Sequence, residues 1–95
     1  MLSLVFIFDD CPMPLVAAQL RQWGIEVVSL AECPGVRRVS KHRLRESIEG
    51  KIAVVVGDKE LAQRLGVAYV SYREVEDFLR YLEKELSPSY IPYLQ

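Results

Sequence analysis

The chain has 95 residues, of which 51% are apolar, with 12 basic and 13 acidic side chains and a formal net charge of −1. This length suits one small domain and excludes a second, and the near-neutral charge excludes nucleic-acid binding by overall positive charge. The first ten residues have no basic leader and only a short apolar run. We therefore expect neither a signal peptide nor a membrane span, and a cytoplasmic location.

Periodicity predicts four strands that alternate with four helices. The first strand, residues 4–8, leads into a helix that carries two prolines at its entry, where a missing N–H does no harm, and that ends at Gly24. Val16, Leu20 and Trp23 recur at helical spacing in this segment. We expect them to form its buried stripe.

The second strand, residues 25–30, is followed by a loop and by a helix over about residues 40–49. The third strand, residues 52–56, is an unbroken apolar run that ends at a glycine. Asp58 then stands where the N-cap of a short helix over residues 59–65 would lie.

The last strand and helix carry the clearest local signals. Gly66 predicts the end of the third helix, and residues 67–70 form the fourth strand. Ser71 and Glu74 have the spacing of a capping box at the start of the last helix, which Pro88 is expected to close. Its apolar stripe comprises Val75, Phe78, Leu79, Leu82 and Leu86.

Strand composition predicts the order of strands in the sheet. Residues 4–8 and 52–56 are apolar on both faces, as strands covered on both sides must be, whereas residues 25–30 include Glu26 and Ser29. The first and third strands are therefore expected to be central, with the second and fourth at the edges. Right-handed crossovers then give a four-stranded parallel sheet of order 2-1-3-4, in a three-layer, flavodoxin-like α/β sandwich with helices on both faces.

In this order a crevice opens between the carboxyl ends of the first and third strands, which deliver Asp9, Asp10 and Asp58 to it. Clustered carboxylates repel one another unless a cation neutralises them, and Mg²⁺ or Mn²⁺ prefers such oxygen ligands. The three aspartates are therefore candidate catalytic and metal-binding residues. Asp10 and Asp58 also have a plainer interpretation as helix N-caps, whereas Asp9 belongs to neither cap.

Two stretches resemble a known family. "FIFDDCPMPLVAAQLRQWGIEVVSL" is similar to the opening of the short prokaryotic PIN-like (PilT N-terminus) ribonuclease-type proteins, and "SIEGKIAVVVGDKELAQRLGVAYVSY" is similar to their later part. Together the stretches span roughly residues 4–72. The resemblance implies a single PIN-like α/β domain, which we place over residues 1–86.

The resemblance implies a metal-dependent ribonuclease with three or four acidic residues around Mg²⁺ or Mn²⁺. The family's first acid matches Asp9 or Asp10, and the acid after the third strand matches Asp58. The middle acid falls on Lys41, and a hydroxyl residue of the family falls on Val56. The chain is therefore either a Mg²⁺- or Mn²⁺-dependent endoribonuclease or an inactive relative. Two nearby acids could replace the lost one, Glu32 and Glu46.

A basic segment, residues 36–45 (VRRVSKHRLR), contains no acid. Its cationic residues are Arg37, Arg38, Lys41, Arg43 and Arg45. Positive charge at a helix N-terminus opposes the helix dipole, and a bound phosphate would explain it, so these are candidate nucleic-acid-binding residues. The alternatives are a patch that contacts a protein partner and a solvated face. A non-catalytic RNA- or protein-binding module is therefore the alternative function, and the lone His42 is expected to be solvated.

Three further features leave alternatives open. Cys11 and Cys33 are too few for a disulfide framework and lack zinc spacing, and whether they pair stays open. The apolar tail, residues 87–95, is expected to dock on its own domain or on a partner subunit, as in a homodimer. Receiver-like phosphoacceptor domains also place paired acids after their first strand, but here no lysine follows the last strand.

Overall fold

The structure is a computed structural model that describes residues 3–86, with the side chains of residues 3–85. Pro88 and the tail over residues 87–95 lie outside the described residues, so the expected helix end and the docking of the tail stay predictions. Within the described part, no helix combines the length and apolar character needed to cross a membrane.

Strands and helices alternate along residues 3–86. In chain order the elements are β1 (Ser3–Phe8), α1 (Pro14–Gln22), β2 (Glu26–Ser29), β3 (Arg37–Arg38), a 3₁₀ helix (Lys41–Arg43), α2 (Leu44–Ser47), β4 (Lys51–Val56), α3 (Lys59–Leu65), β5 (Ala68–Val70) and α4 (Tyr72–Leu86). The predicted strands one to four correspond to β1, β2, β4 and β5.

The strands form one parallel sheet of order β3-β2-β1-β4-β5, which confirms the α/β class. The prediction of four strands in the order 2-1-3-4 is wrong in the strand count and in the full order, because a fifth strand lies outside β2, although the four predicted strands keep their relative order. Arg37 and Arg38, expected in a loop, pair with Val28 and Ser29 and place a fifth strand outside β2. A two-residue strand whose side chains are both exposed has no apolar alternation from which it could be predicted.

Helices cover both faces of the sheet, as expected for a three-layer sandwich. α1 and α4 pack on one face, in a cluster of Phe6, Phe8, Val16, Ala17, Leu20, Ile25, Val27, Val56, Val75 and Leu79. α2 and α3 pack on the other, in a cluster of Val5, Ile7, Val28, Val39, Leu44, Ala53, Val55, Leu61 and Ala62. The central position predicted for β1 is confirmed, because Ile7 and Phe8 have no exposed surface.

Three local expectations about the helices are wrong. Trp23 is 37% exposed because it is the C-cap residue of α1, where the chain has already left the helix axis. Phe78 is 44% exposed, at the margin of the stripe that α4 buries. The helix expected over residues 40–49 is a 3₁₀ turn followed by the single-turn α2, which the buried Leu44 anchors to the core.

The caps predicted at the starts of α3 and α4 are confirmed. The Oδ1 atom of Asp58 accepts a hydrogen bond from the backbone N–H of Leu61 at 3.0 Å. Ser71 and Glu74 form the reciprocal capping box, with the Ser71 N–H donating to Glu74 Oε1 at 2.8 Å and the Glu74 N–H donating to Ser71 Oγ at 3.1 Å. These bonds fix the points at which α3 and α4 leave the carboxyl edge of the sheet.

A matched pair of leucines on α1 tests which face of this helix is buried. Leu20 is fully buried, whereas Leu15 is 64% exposed. We expect Leu20→Ala to lower the free energy of unfolding by about 3 kcal/mol, because it leaves a cavity in the core. Leu15→Ala should change it by no more than about 0.5 kcal/mol. Urea denaturation measures both, and equal losses would contradict the assigned face.

Candidate functional site

The ends of β1 and β4 lie side by side. Phe8 pairs with Val56 in the parallel ladder, and the next residue, Asp9, donates its backbone N–H to the Val56 carbonyl at 3.1 Å. The chain then passes to α1 on one face of the sheet and, after Asp58, to α3 on the other. The expectation that Asp9, Asp10 and Asp58 leave the same edge of the sheet at neighbouring positions is confirmed.

The Asp9 carboxylate lies directly against the backbone of Gly57. A Cβ atom added to Gly57 would lie 2.8 Å from Asp9 Oδ2 and would overlap Oδ1 as well. Gly57 also has a φ of +94°, which side-chain-bearing residues rarely adopt. The glycine therefore has two functions here, because it permits the turn after β4 and leaves space for the carboxylate.

Asp9 is poorly compensated in this position. Its Oδ1 atom is buried and has no hydrogen-bond partner among the described residues. Burial raises the pKa of Asp9, and the negative charges of Asp10 and Asp58 raise it further, while the backbone N–H of Asp10 acts in the opposite direction. Asp9 is thus a carboxylate whose charge the fold disfavours.

Tyr72, the first residue of α4, completes this edge and was not singled out from the sequence. Its hydroxyl donates a hydrogen bond to the Asp10 carbonyl at 3.0 Å, and its ring lies 5.4 Å from that of Phe8 between centroids. Burial raises the pKa of Tyr72 to about 12, with the charges of Asp9 and Asp10 contributing. Its position just after the last strand, at the same edge as the aspartates, is the signal that could have identified it.

The other two aspartates already bind local backbone groups. Asp58 caps α3, as described above, and Asp10 Oδ1 accepts a hydrogen bond from the Cys11 N–H at 2.8 Å. Asp10 does not cap α1, because that helix begins four residues later, at Pro14, with Met13 as its N-cap residue. The capping interpretation is therefore confirmed for Asp58 and wrong for Asp10.

The described residues do not supply the ligand set that the resemblance implies for Mg²⁺ or Mn²⁺. Among residues 3–86, no group of three or more His, Cys, Asp or Glu side chains is arranged to hold a metal ion. The unpartnered oxygen of Asp9 is the one feature of this edge that suits a cation. The catalytic and metal-binding roles of Asp9, Asp10 and Asp58 stay predictions.

Neither candidate replacement acid extends the cluster. Glu46 forms an ion pair with Arg43 at 3.4 Å. Glu32 is exposed beyond β2, and it is not one of the charges that raise the pKa of Asp9. Lys41, at the position of the family's middle acid, begins the 3₁₀ helix and is exposed.

The five cations of the basic segment have different partners. Arg37 forms an ion pair with Glu26 at 3.5 Å, and Arg38 donates from Nε to the Leu30 carbonyl at 3.3 Å. Both project from the edge strand β3. With Arg43 paired to its acid, Lys41 is the segment's one cation that has neither an ion pair nor a hydrogen bond within residues 3–86.

A basic groove lies between the 3₁₀ helix with α2 on one side and α3 on the other. Its volume is about 400 Å³, and its lining residues are Lys41, His42, Arg45, Leu61, Arg64 and Leu65. Arg45 Nη2 donates to the Arg64 carbonyl at 2.7 Å, which ties the two walls together. Arg64 is distant from the basic segment in sequence and was not predicted. The sheet edge that carries Asp9, Asp10 and Asp58 is called the acidic edge below. The groove begins beside it, because the N–H of Leu61, a groove residue, donates to Asp58.

Cys11 and Cys33 form a disulfide, which settles the pairing left open by the sequence. Their Cα atoms are 5.6 Å apart, and 22 residues separate them in the chain. The bond joins the loop after β1 to the loop after β2. It therefore fastens the loop that contains Asp10 to the loop that leads into β3.

A glycine pair tests the close approach of Asp9 to the backbone. Gly57 and Gly50 both have positive φ, but a Cβ on Gly50 would meet nothing within 4 Å. We expect Gly50→Ala to lower the free energy of unfolding by about 1 kcal/mol, from backbone strain alone. Gly57→Ala should lose about 2 kcal/mol more, because its Cβ overlaps the Asp9 carboxylate. Thermal and urea unfolding measure the difference, and equal losses would contradict the contact.

The raised pKa of Asp9 predicts a pH-dependent stability. A group whose pKa is raised by folding contributes stability that is present below its unfolded pKa of about 3.9 and is lost as pH rises through the folded value. Asp9→Asn removes this loss. The variant should therefore gain in stability relative to the parent as pH rises from acid to neutral, by about 1 kcal/mol for one poorly solvated oxygen.

Urea unfolding across this pH range measures the gain. Glu85→Gln, a change at an exposed acid on α4, is the control and should follow the parent at every pH. A constant difference between Asp9→Asn and the parent would show that the Asp9 carboxylate is well solvated.

Comparison with known proteins found no matching family model, no matching curated protein and no matching solved structure. The function is therefore inferred from the acidic edge, the basic groove and the disulfide.

Proposed function

We propose that this chain is a PIN-like α/β domain that has lost the family's metal-dependent ribonuclease site and binds RNA through its basic groove. The observation that carries the proposal is the convergence of Lys41, Arg45 and Arg64 on one groove. Two of these cations belong to the basic segment, and the third comes from α3. The assignment to RNA rather than to DNA follows from the resemblance to PIN-like ribonucleases.

The groove's cations are available to an external anion. The ion pairs within residues 3–86 involve Arg37, Lys51, Arg43 and Arg80. None of the three groove cations takes part in them. Positive side chains that converge without acids attract phosphate, and guanidinium groups add directed hydrogen bonds. On a chain with a net charge of −1, such attraction must be local.

The composition of the groove favours contact with the phosphate backbone rather than with bases. Its apolar lining residues are Leu61 and Leu65, and no Phe, Tyr or Trp side chain lines it. The large exposed aromatic residues of the described chain are Trp23, Tyr69, Phe78 and Tyr81, none of which lines the groove. Single-strand binders use aromatic platforms on which bases stack. We therefore expect binding that is sequence-independent and sensitive to salt.

The acidic edge supports the proposed loss of catalysis. Lys41 stands where the resemblance places a metal ligand, and Asp10 and Asp58 accept local backbone hydrogen bonds. The missing third ligand leaves a cation weakly held. Asp9 then remains as an uncompensated carboxylate beside Gly57, a remnant of the lost site rather than a working ligand.

Charge-removing substitutions in the groove test RNA binding. We expect Lys41→Gln and Arg64→Gln each to weaken binding of a short labelled RNA by about tenfold, the loss of one charge-assisted contact. Each should also reduce the slope of log affinity against log salt by about 0.7. Fluorescence anisotropy over a salt series measures both quantities. Lys84→Gln and Arg80→Gln, on exposed positions of α4, are the matched controls and should bind as the parent does.

The outcome also separates the rival partners. If the parent binds no RNA but forms a dimer that Lys41→Gln dissociates, the groove is a contact between copies of the chain. If a DNA of the same sequence binds equally well, the groove recognises nucleic acid by phosphate alone. Binding that survives both groove substitutions unchanged would refute the proposed site.

A metal-dependent ribonuclease is the second candidate function, and the unpartnered Oδ1 of Asp9 favours it. Under our proposal, Mn²⁺ produces no RNA cleavage. It also leaves the melting temperatures of the parent and of Asp9→Asn changed by the same amount. Gel assays and thermal scans with increasing Mn²⁺ measure both. RNA cleavage that requires Asp9 would establish the chain as a metal-dependent ribonuclease and would overturn the proposal that catalysis is lost.

A further inference from the structure

We propose that Cys11 and Cys33 form a reversible thiol–disulfide exchange site at which an external thiol attacks Cys11 and Cys33 is the leaving group. The exchange would control the loop that leads into the basic strand β3. The proposal rests on the environments of the two sulfur atoms and does not depend on the RNA-binding function. An exposed disulfide is the kind that exchanges readily with external thiols.

The two sulfur atoms differ in access. Cys11 is exposed, in the loop between β1 and α1, whereas Cys33 is half-buried behind it. Exchange requires an attacking thiolate to reach one sulfur in line with the bond. Access therefore favours attack at Cys11.

The two sulfur atoms also differ as leaving groups. Ser29 is fully buried, and its Oγ lies 3.3 Å from the Cys33 Sγ. The same hydroxyl oxygen accepts a hydrogen bond from the Ala31 N–H at 3.0 Å. Because a disulfide sulfur carries no proton, the hydroxyl is the donor in its contact with Cys33 Sγ. A hydroxyl donor stabilises the thiolate that forms when the disulfide opens. Each sulfur also has a carbonyl oxygen nearby, that of Ala31 at 3.4 Å from Cys33 Sγ and that of Glu32 at 3.5 Å from Cys11 Sγ, so the Ser29 hydroxyl is the difference between them among the described residues.

The exchange balances with a thiol as the reductant. A thiolate attacks Cys11 Sγ, the bond between the two protein sulfurs breaks, and Cys33 leaves as a thiolate that then takes a proton from water. With a dithiol, the second thiolate attacks the external sulfur of the mixed disulfide, which releases Cys11 and closes the oxidised dithiol. Two electrons pass from the dithiol to the protein disulfide.

Reduction of the disulfide would release the loop over residues 31–36, which leads into the basic segment. Residues 31–36 are held to the body of the domain by the disulfide and by Arg21, whose Nη2 donates to the Gly35 carbonyl at 2.8 Å. The strand that follows, β3, is only two residues long, and the Val39 N–H donates to the Ser29 carbonyl at its end. So short a ladder depends on the anchoring of the loop before it.

Trapping of the mixed disulfide tests the direction of attack. The air-oxidised native protein is treated with glutathione, quenched with N-ethylmaleimide, digested and analysed by mass spectrometry. We expect glutathione on Cys11 and maleimide on Cys33. Glutathione mainly on Cys33, equal labelling of both, no adduct on the native protein, or two thiols in the oxidised protein would each overturn the proposal.

Ser29→Ala tests the leaving-group assignment. The variant should be reduced several-fold more slowly than the parent in the native state, because the Cys33 thiolate loses its hydroxyl donor. In denaturing urea the two proteins should react at the same rate, since the contact exists only in the fold. Equal reduction rates of the two native proteins, or a rate difference that persists in urea, would show that the Ser29 hydroxyl does not make Cys33 the better leaving group. Ser29→Thr keeps the hydroxyl and should restore the rate.

Hydrogen exchange tests the effect on the loop. Reduction should increase exchange of the backbone amides of Arg37 and Val39, whose N–H groups face β2, while those of β1 and β4 keep their protection. Unchanged exchange at β3 would refute control of the loop. Because this measurement involves no RNA, its result is independent of the outcome of the binding experiments.

Discussion

The parallel pairing of β1 with β4 is the constraint on which the rest of the structure depends. Six consecutive residue pairs, from Ser3 with Lys51 to Phe8 with Val56, fix the register of the two central strands. A shift of one residue would turn Phe8 and Val56 from one core cluster to the other face, so the packing on both sides enforces this register. The same register brings the Asp9 carboxylate against Gly57. The acidic edge is thus a product of core packing.

This origin explains why the acidic edge contains a carboxylate whose charge is energetically unfavourable. The ladder places Asp9 where burial and two neighbouring carboxylates disfavour its charge, and no described group compensates its Oδ1. Asp58, by contrast, has a hydrogen-bond partner, because its Oδ1 accepts the Leu61 N–H in the first turn of α3. A carboxylate that stabilises a helix has a structural reason to be present, whereas an uncompensated one does not. Asp9 is therefore the residue of this edge whose presence points to a function, present or lost.

The sequence was informative where structure follows from neighbouring residues. Asp58, Ser71 and Glu74 act through hydrogen bonds within three positions, so their roles could be predicted, as could the convergence of two strand ends that alternation implies. Arg64 and Tyr72 meet their partners only through folding, across 19 and 62 positions, so no local pattern marked them. The strand β3 has only two residues, which is too short to show the alternation of apolar and polar residues that predicts a strand. Pairing of the two cysteines depends on two loops meeting in space, which spacing alone does not determine.

The acidic edge and the basic groove are parts of one surface, because Leu61 belongs to both. Its N–H donates to Asp58, and the same residue lines the groove. A phosphate backbone bound in the groove would therefore lie near the acidic edge, where the charges of Asp9 and Asp58 would repel it. Without a cation between the phosphates and these carboxylates, the repulsion would limit how closely the phosphate backbone approaches the acidic edge. If the groove binds a polyanion as proposed, the neighbouring edge would admit a phosphate only after the charge of Asp9 is neutralised, and binding would then depend on the state of this one carboxylate.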